Sequence, residues 1–141
     1  MALTLEKAQT IIEAGFAKGA DLGLKPLSIC VLDAGGHPVA FARQDGSSNL
    51  RFKIAQGKAY GAISLGMGSR AIFERAQQQP YFVDSLNTMV DGAMVPVPGG
   101  ALVLDADGKI IGGVGVTGDT SDNDEIACVA GIEAAGFKAQ P

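Results

Sequence analysis

The stretch that decides the fold runs from Pro98 to Ala127 and reads PGGALVLDADGKIIGGVGVTGDTSDNDEIA. Two apolar runs, Ala101 to Leu104 and Ile110 to Thr117, predict strands, and the Asp-Ala-Asp-Gly sequence between them predicts a tight turn. Ser121 is expected to cap a final helix that extends to Ala135. The stretch therefore predicts an antiparallel hairpin followed by a helix.

Three glycines, Gly112, Gly113 and Gly115, remove side chains from the second of these strands. Glycine inside a strand marks a bulge, or a place where a ligand or another backbone comes close. We predict that this bare backbone lines a ligand site. The alternative is that the glycines only serve close packing between subunits.

The same glycines match a nucleotide-binding pattern, which we reject. Gly113 to Gly118 fits G-x-G-x-x-G, but that fingerprint needs a following helix, a second parallel strand and a distant acidic residue. The chain after Gly118 suffices for only one helix, and its acidic start would repel a pyrophosphate. The sequence also lacks a P-loop, so it predicts neither NAD nor ATP as a cofactor.

The length and composition of the chain limit the classes of protein to which it can belong. A chain of 141 residues predicts a single domain over residues 1–141, and a chain with 47% hydrophobic but only 18% charged residues predicts a homo-oligomer. A net charge of −4 argues against nucleic acid as a partner. No apolar run is long enough for a membrane span, and no signal peptide is visible, so we expect a cytoplasmic protein that does not contact membranes. Cys30 and Cys128 are interpreted as core thiols.

The remaining segments predict helices on either side of a second hairpin. The predicted elements are a helix from Thr4 to Gly23, strands over Leu27–Asp33 and Pro38–Gln44, a helix over Phe52–Leu65 with a small-residue face, and short helices over Ser69–Ala76 and Tyr81–Asn87. Both hairpins turn tightly, so the sheet is expected to be antiparallel with helices packed against it. This is an α+β domain.

A few side chains could carry chemistry. His37, the only histidine, can ligate iron or move a proton, or can form a local hydrogen bond in its turn. Arg43 and Lys58 can each bind a carboxylate, or can form a surface ion pair, or can lie along apolar surface with the charged group in solvent. The acidic residues at the start of the final helix can bind a hard cation, although helix capping and the helix dipole explain them as well.

Six segments, in this order along the chain, resemble the GlcG/HbpS-like family, the haem-binding DUF336 group related to the C-terminal domain of PduO. They are Ser28–His37, Phe41–Gly46, Ala55–Tyr60, Pro98–Gly100, Ile111–Gly118 and Asp122–Glu125. The resemblance implies a profilin-like fold with a central antiparallel sheet flanked by helices, and it implies homo-oligomers. Family members bind or degrade haem, and others have no clear activity. Residues 95–100 depart from the commoner glycine-leucine-proline form of the family, so the ligand of this chain can differ.

The leading hypothesis is therefore a cytoplasmic protein that binds haem or a related small anionic ligand and that can also degrade haem. The glycine strand would offer a flat surface to the macrocycle, His37 an axial nitrogen for the iron, and Arg43 or Lys58 a partner for a propionate. One alternative is an enzyme of a catabolic pathway in which Arg43 and Lys58 hold a small carboxylate while His37 or a carboxylate side chain moves a proton. Another is a non-catalytic assembly subunit. The sequence leaves open whether the protein is an enzyme.

Overall fold

A computed structural model describes residues 2–141 and contains each helix and strand that the sequence predicts. The elements are α1 (Leu5–Leu22), β1 (Ser28–Asp33), β2 (Pro38–Arg43), α2 (Arg51–Leu65), α3 (Ser69–Gln78), α4 (Pro80–Met89), β3 (Gly100–Leu104), β4 (Ile110–Thr117), α5 (Ser121–Ala134) and β5 (Lys138–Gln140). In this range no helix has the length and apolar character needed to cross a membrane.

The five strands form one antiparallel sheet in the order β2-β1-β4-β3-β5. This confirms the α+β class with a central antiparallel sheet flanked by helices. Strand β5 was not predicted, because Lys138-Ala139-Gln140 is too short to show an apolar alternation. It joins the sheet by pairing with β3, where Leu102 lies opposite Gln140.

Helices cover both faces of the sheet. Helices α1 and α5 bury the larger core against one face, which includes Ile11, Ile29, Val114 and Ile132. Helix α2 covers the other face, where Cys30, Leu32, Ala55 and Ala59 are fully buried. Side chains alternate along each strand, so Ser28, Phe41, Gly115 and Thr117 belong to the α2 face.

Small residues let α2 approach the sheet closely, as its sequence predicted. A methyl group added at Gly115 would collide with the backbone carbonyl oxygen of Ala55, and one added at Gly113 would lie 2.9 Å from Ile63 Cγ1. Gly57 faces away from the sheet in the same helix and packs against Val95. The packing of α2 is therefore backbone against backbone, which no larger side chain in β4 would permit.

The ends of several helices differ slightly from expectation. Thr120, not Ser121, caps α5, and its hydroxyl accepts a hydrogen bond from the amide of Asn123 at 3.2 Å. Ser69 is the first residue of α3, and its hydroxyl contacts the backbone of Gly100. At the other end of the first helix, Thr4 and the left-handed Gly23 act as caps as predicted.

The sheet has two distinct ends, and this determines where functional side chains lie. Both hairpin turns lie at one end, since Asp33 at the end of β1 pairs with Gly112 near the start of β4. We call this the turn end. The opposite end is marked by the cross-strand neighbours Arg43, Ser28 and Thr117 on β2, β1 and β4.

Candidate functional site

The candidate residues from the sequence do not lie together. His37 lies at the turn end, where its side chain is 79% exposed. Arg43 lies at the opposite end of β2, about 20 Å away at the usual rise of about 3.3 Å per residue. Its guanidinium donates a 3.4 Å hydrogen bond to the carbonyl of Ser47. A single small ligand therefore does not contact both His37 and Arg43 within one chain.

Lys58 is an interior residue, which corrects its prediction as an anion-binding side chain. It is 1% exposed, and its ammonium donates to the carbonyl oxygen of Val116 at 2.8 Å and to the carboxylate of Asp124 at 3.1 Å. Burial lowers the pKa of Lys58, while the negative charge of Asp124 opposes that shift. The sequence alternative was an ion pair at the surface, and the structure contains an ion pair that is buried.

The three strand glycines are also covered, so they do not present bare backbone to a ligand in this chain. Gly113 and Gly115 lie beneath α2, and a methyl group at Gly112 would collide with Leu3 and with the carbonyl oxygen of Leu32. Glycine is required here because other parts of the same chain approach the strand. The close approach was predicted correctly, but its cause is intramolecular packing and not a macrocycle.

The acidic cluster at the start of α5 is neutralised by two cations. The guanidinium of Arg70 contacts Asp122 and donates to Glu125 at 2.9 Å, while Asp124 pairs with the buried Lys58. Within residues 2–141, no group of three or more His, Cys, Asp or Glu side chains is arranged to hold a metal ion. The cluster therefore anchors α5 to α3 and α2.

A polar cleft lies at the turn end, where Gly36, the residue before His37, forms part of its lining. It has a volume of about 530 Å³, within the usual range of about 300–1,000 Å³ for ligand sites. We call it the Tyr60 cleft, and its lining consists of Gly36, Lys53, Gln56, Tyr60, Asp91, Gly92, Ala93 and Val95. A Cβ atom at Gly36 would lie 3.5 Å from the Tyr60 ring, so the turn that carries His37 packs onto this cleft.

The cleft is built by one helix face and one folded loop. One stripe of α2 consists of Lys53, Gln56 and Tyr60, at positions i, i+3 and i+7. The small-residue face of α2 is a different face, which packs against the sheet. The loop after α4 is fixed by the side-chain amide of Asn87, which makes hydrogen bonds of 2.9 and 3.0 Å with the backbone of Met94. The polar stripe of α2 therefore faces a loop whose conformation is fixed by hydrogen bonds.

Backbone strain marks the rim of that loop. Asp91 has a φ of 56°, and it is the only residue other than glycine with a positive φ within residues 2–141. Left-handed backbone in a residue with a side chain is uncommon, and it is enriched at ligand sites. Asp91 lines the Tyr60 cleft, so this unusual backbone conformation lies on the wall of the cleft.

Asp33 holds the imidazole of His37. Its Oδ1 atom accepts hydrogen bonds of 2.9 Å from the amides of Gly35 and His37, and it lies 3.4 Å from His37 Nδ1. These contacts, first the hydrogen bond from the His37 amide, lower the pKa of Asp33, so the carboxylate is ionised at neutral pH. With Nδ1 directed to a carboxylate, Nε2 is the nitrogen available to a metal or a proton acceptor.

Sequence reasoning missed most of the Tyr60 cleft. It identified His37, in the turn next to the cleft, but not the lining residues Lys53, Gln56 and Tyr60, although their spacing on α2 is a detectable signal opposite the Ala/Gly face. The loop over residues 91–95 could not be assigned to the cleft, because nothing in its sequence shows which element it packs against.

Comparison with known proteins gives one family over nearly the whole chain. A family model described as "Haem degrading protein HbpS-like" matches residues 3–133. A 15.0 kDa protein from the dhaT–dhaS intergenic region of Citrobacter freundii, described as uncharacterized, is 27% identical over 131 residues, which cover 93% of this chain and 90% of that protein.

Three solved structures have the same fold. The PduOC structure, a haem complex, has a TM-score of 0.88 at 21% identity and covers 100% of both chains. Protein ORFY of Klebsiella pneumoniae has a TM-score of 0.84 at 25% identity, covering 94% of this chain and 90% of its own. A double mutant of HbpS from Streptomyces reticuli has a TM-score of 0.79 at 26% identity, covering 94% and 86%.

Proposed function

We propose that this chain, which belongs to the HbpS-like family, binds haem or a closely related small anionic ligand in the Tyr60 cleft. The observation that carries the proposal is an exposed imidazole, held by an ionised carboxylate, in the turn whose Gly36 lines a polar cleft. The family description names haem, and similar HbpS structures support the transfer of that ligand class to this chain.

The residues present fit haem. His37 supplies a nitrogen ligand whose other nitrogen is oriented by Asp33, the usual arrangement for a metal-bound histidine. Lys53 is an exposed cation in the cleft, and it makes no ion pair within residues 2–141, so it is available to a propionate. The Tyr60 ring and Val95 supply apolar surface for the macrocycle.

Haem would supply redox and gas-binding chemistry, and the chain would determine which of these proceeds. Asp33 would keep the imidazole of His37 directed outward. The cleft is open to solvent, so dioxygen and a reductant can reach a ligand bound there. Haem degradation, the finer part of the proposal, is tested by adding ascorbate to the aerobic haem complex and following the loss of the Soret band.

A cytoplasmic location belongs to the same proposal. Cys30 and Cys128 are free and buried, and burial raises the pKa of each thiol to about 12, so neither forms a reactive thiolate. Two unpaired thiols suit a reducing compartment. Cell fractionation with an antibody to the untagged protein tests the location, and recovery from an oxidising compartment would contradict it.

The cleft is tested by titrating haem into the parent and into Lys53→Glu. Charge reversal removes a propionate partner and adds repulsion, so we expect haem affinity to fall by about 10-fold or more. The matched control is Lys138→Glu, which makes the same change on an exposed residue of β5. Equal affinities in the parent, Lys53→Glu and Lys138→Glu would show that the Tyr60 cleft does not bind haem.

A further inference from the structure

We infer a second ligand site, for a small oxyanion such as a carboxylate or phosphate, at the end of the sheet opposite His37. The site joins Arg43, Ser28 and Thr117, on three neighbouring strands, to Arg51 at the start of α2. We call it the Arg43–Arg51 site. It is separate from the Tyr60 cleft and does not depend on haem binding.

The strand register places three of these residues in one row. Ser28 lies directly opposite Arg43 on one side and directly opposite Thr117 on the other. Directly opposed residues share a face of the sheet, and neighbouring strands are about 4.8 Å apart. Ser28 therefore has Arg43 on one side and Thr117 on the other, and all three residues belong to the α2 face.

Helix α2 supplies the second cation. The guanidinium of Arg51 donates to the hydroxyl of Thr117 at 2.7 Å, which fixes it above the same row. Within residues 2–141, neither Arg43 nor Arg51 forms an ion pair, and Arg43 has only its long contact to Ser47. The nearest buried carboxylate, Asp124, is already paired with Lys58.

The helix N-terminus adds to this positive field. Helix α2 has 15 residues, no side-chain cap and no acidic residue in its first turn, and Arg51 lies at its positive end. A cation at a helix N-terminus is electrostatically unfavourable, and an anion there is favourable. A bound oxyanion would remove the repulsion between Arg51, Arg43 and the helix dipole.

An unpartnered hydroxyl provides independent support. Ser28 is 0% exposed, and its Oγ atom has no hydrogen-bond partner; the Oγ atom of Ser47, in the loop next to Arg43, is also buried and unpartnered. Buried polar groups nearly always have partners, since leaving one unsatisfied costs about 1–3 kcal/mol. An oxygen of an anion held between the two guanidinium groups would accept the hydrogen bond of Ser28.

The chemistry of the site sets the ligand class. Two guanidinium groups offer paired donors that match a carboxylate or a phosphate, and the hydroxyls of Ser28 and Thr117 add uncharged donors. The enclosed position of Ser28 favours a ligand of a few atoms over a polymer. Sodium oxalate and inorganic phosphate are suitable probes, because they distinguish a planar dicarboxylate from a tetrahedral anion.

The test measures the affinity of each probe by calorimetry at constant ionic strength, with chloride as the reference anion. In the parent we expect saturable binding of oxalate or phosphate, and the tighter of the two identifies the ligand class. Arg43→Gln and Arg51→Gln should each weaken binding by about 10- to 100-fold. Ser28→Ala should weaken it while leaving the melting temperature of the free protein unchanged or higher, because the lost hydroxyl had no partner.

The control is Lys109→Gln, which removes an exposed cation from the turn end and should leave anion binding unchanged. No saturable binding of either probe by the parent would overturn the inference, and so would equal affinities in the parent, Ser28→Ala and Arg43→Gln. Haem titration of Arg43→Gln distinguishes the two sites, since we expect its haem affinity to equal that of the parent whether or not the anion site exists.

Discussion

At the scale of the residue, the buried ion pair between Lys58 and Asp124 links separate elements of the fold. Asp124 also accepts a 2.9 Å hydrogen bond from the amide of Asp119, so the pair joins α2, the end of β4 and the start of α5. Removing one partner of a buried pair leaves an uncompensated charge, whereas replacing both by apolar residues is often neutral.

We therefore expect Lys58→Met to lower the free energy of unfolding by about 3–5 kcal/mol. The double variant Lys58→Met/Asp124→Leu should be more stable than Lys58→Met alone, because no charge remains buried. Urea denaturation of both variants measures this, with Lys53→Met, an exposed lysine of the same helix, as the control. If Lys58→Met unfolds at the same urea concentration as the control, the pair is not a structural element.

The role of Lys58 could not be predicted from the sequence, whereas the position of His37 could. His37 follows a Gly-Gly turn, and local turn chemistry places it at a strand end whatever the tertiary packing. The partner of Lys58 is 66 residues away, and only the packing of α2 against β4 and α5 brings the two together. Long-range ion pairs depend on the fold. The sequence alone therefore does not show whether a cation in an apolar segment binds a ligand or pairs with a distant carboxylate.

At the scale of the element, the contact between α2 and β4 determines the thickness of that layer. The predicted helix and strand both form, and the glycines of β4 meet the small residues of α2. The sequence contained the evidence for close packing but not the identity of the approaching group. A glycine strand indicates only that something comes near.

Gly115→Ala should therefore destabilise the protein by about 1–3 kcal/mol, because its methyl group meets the backbone oxygen of Ala55, which cannot move without shifting α2. Gly61→Ala is the control, since its methyl group would be 3.4 Å from Met94 Cβ and the change improves helix propensity by up to about 1 kcal/mol. The melting temperatures of both variants, measured by thermal unfolding, test this prediction. We expect the melting temperature to fall in Gly115→Ala and to rise in Gly61→Ala. A loss of stability in Gly61→Ala alone would contradict this account of the packing between α2 and β4.

At the scale of the whole molecule, helix α4 has an apolar surface that this chain does not cover. Of its ten residues only Val83 is buried, and Tyr81 and Met89 are 69% and 78% exposed. These two lie on one stripe with Ser85, at i, i+4 and i+8. We expect these two exposed apolar side chains to contact a second copy of the chain, which has few charges on its surface to keep copies apart.

We expect light scattering to give a mass that is a multiple of the 14.4 kDa chain at micromolar concentration. Met89→Glu should lower that mass by placing a charge in the contact, while Leu22→Glu, on an exposed residue at the end of α1, should not. A parent protein of 14.4 kDa would refute the homo-oligomer, and an unchanged mass in Met89→Glu would exclude α4 as the contact.

The central claim is that His37 provides the nitrogen ligand for haem at the Tyr60 cleft. It is tested most directly by the ferric haem spectrum of the parent, of His37→Ala, and of His37→Ala with added imidazole. We predict that His37→Ala loses the Soret band of the parent complex and that imidazole restores it, because the free base can occupy the space of the deleted side chain. A His37→Ala protein with the same spectrum and haem affinity as the parent would contradict the claim.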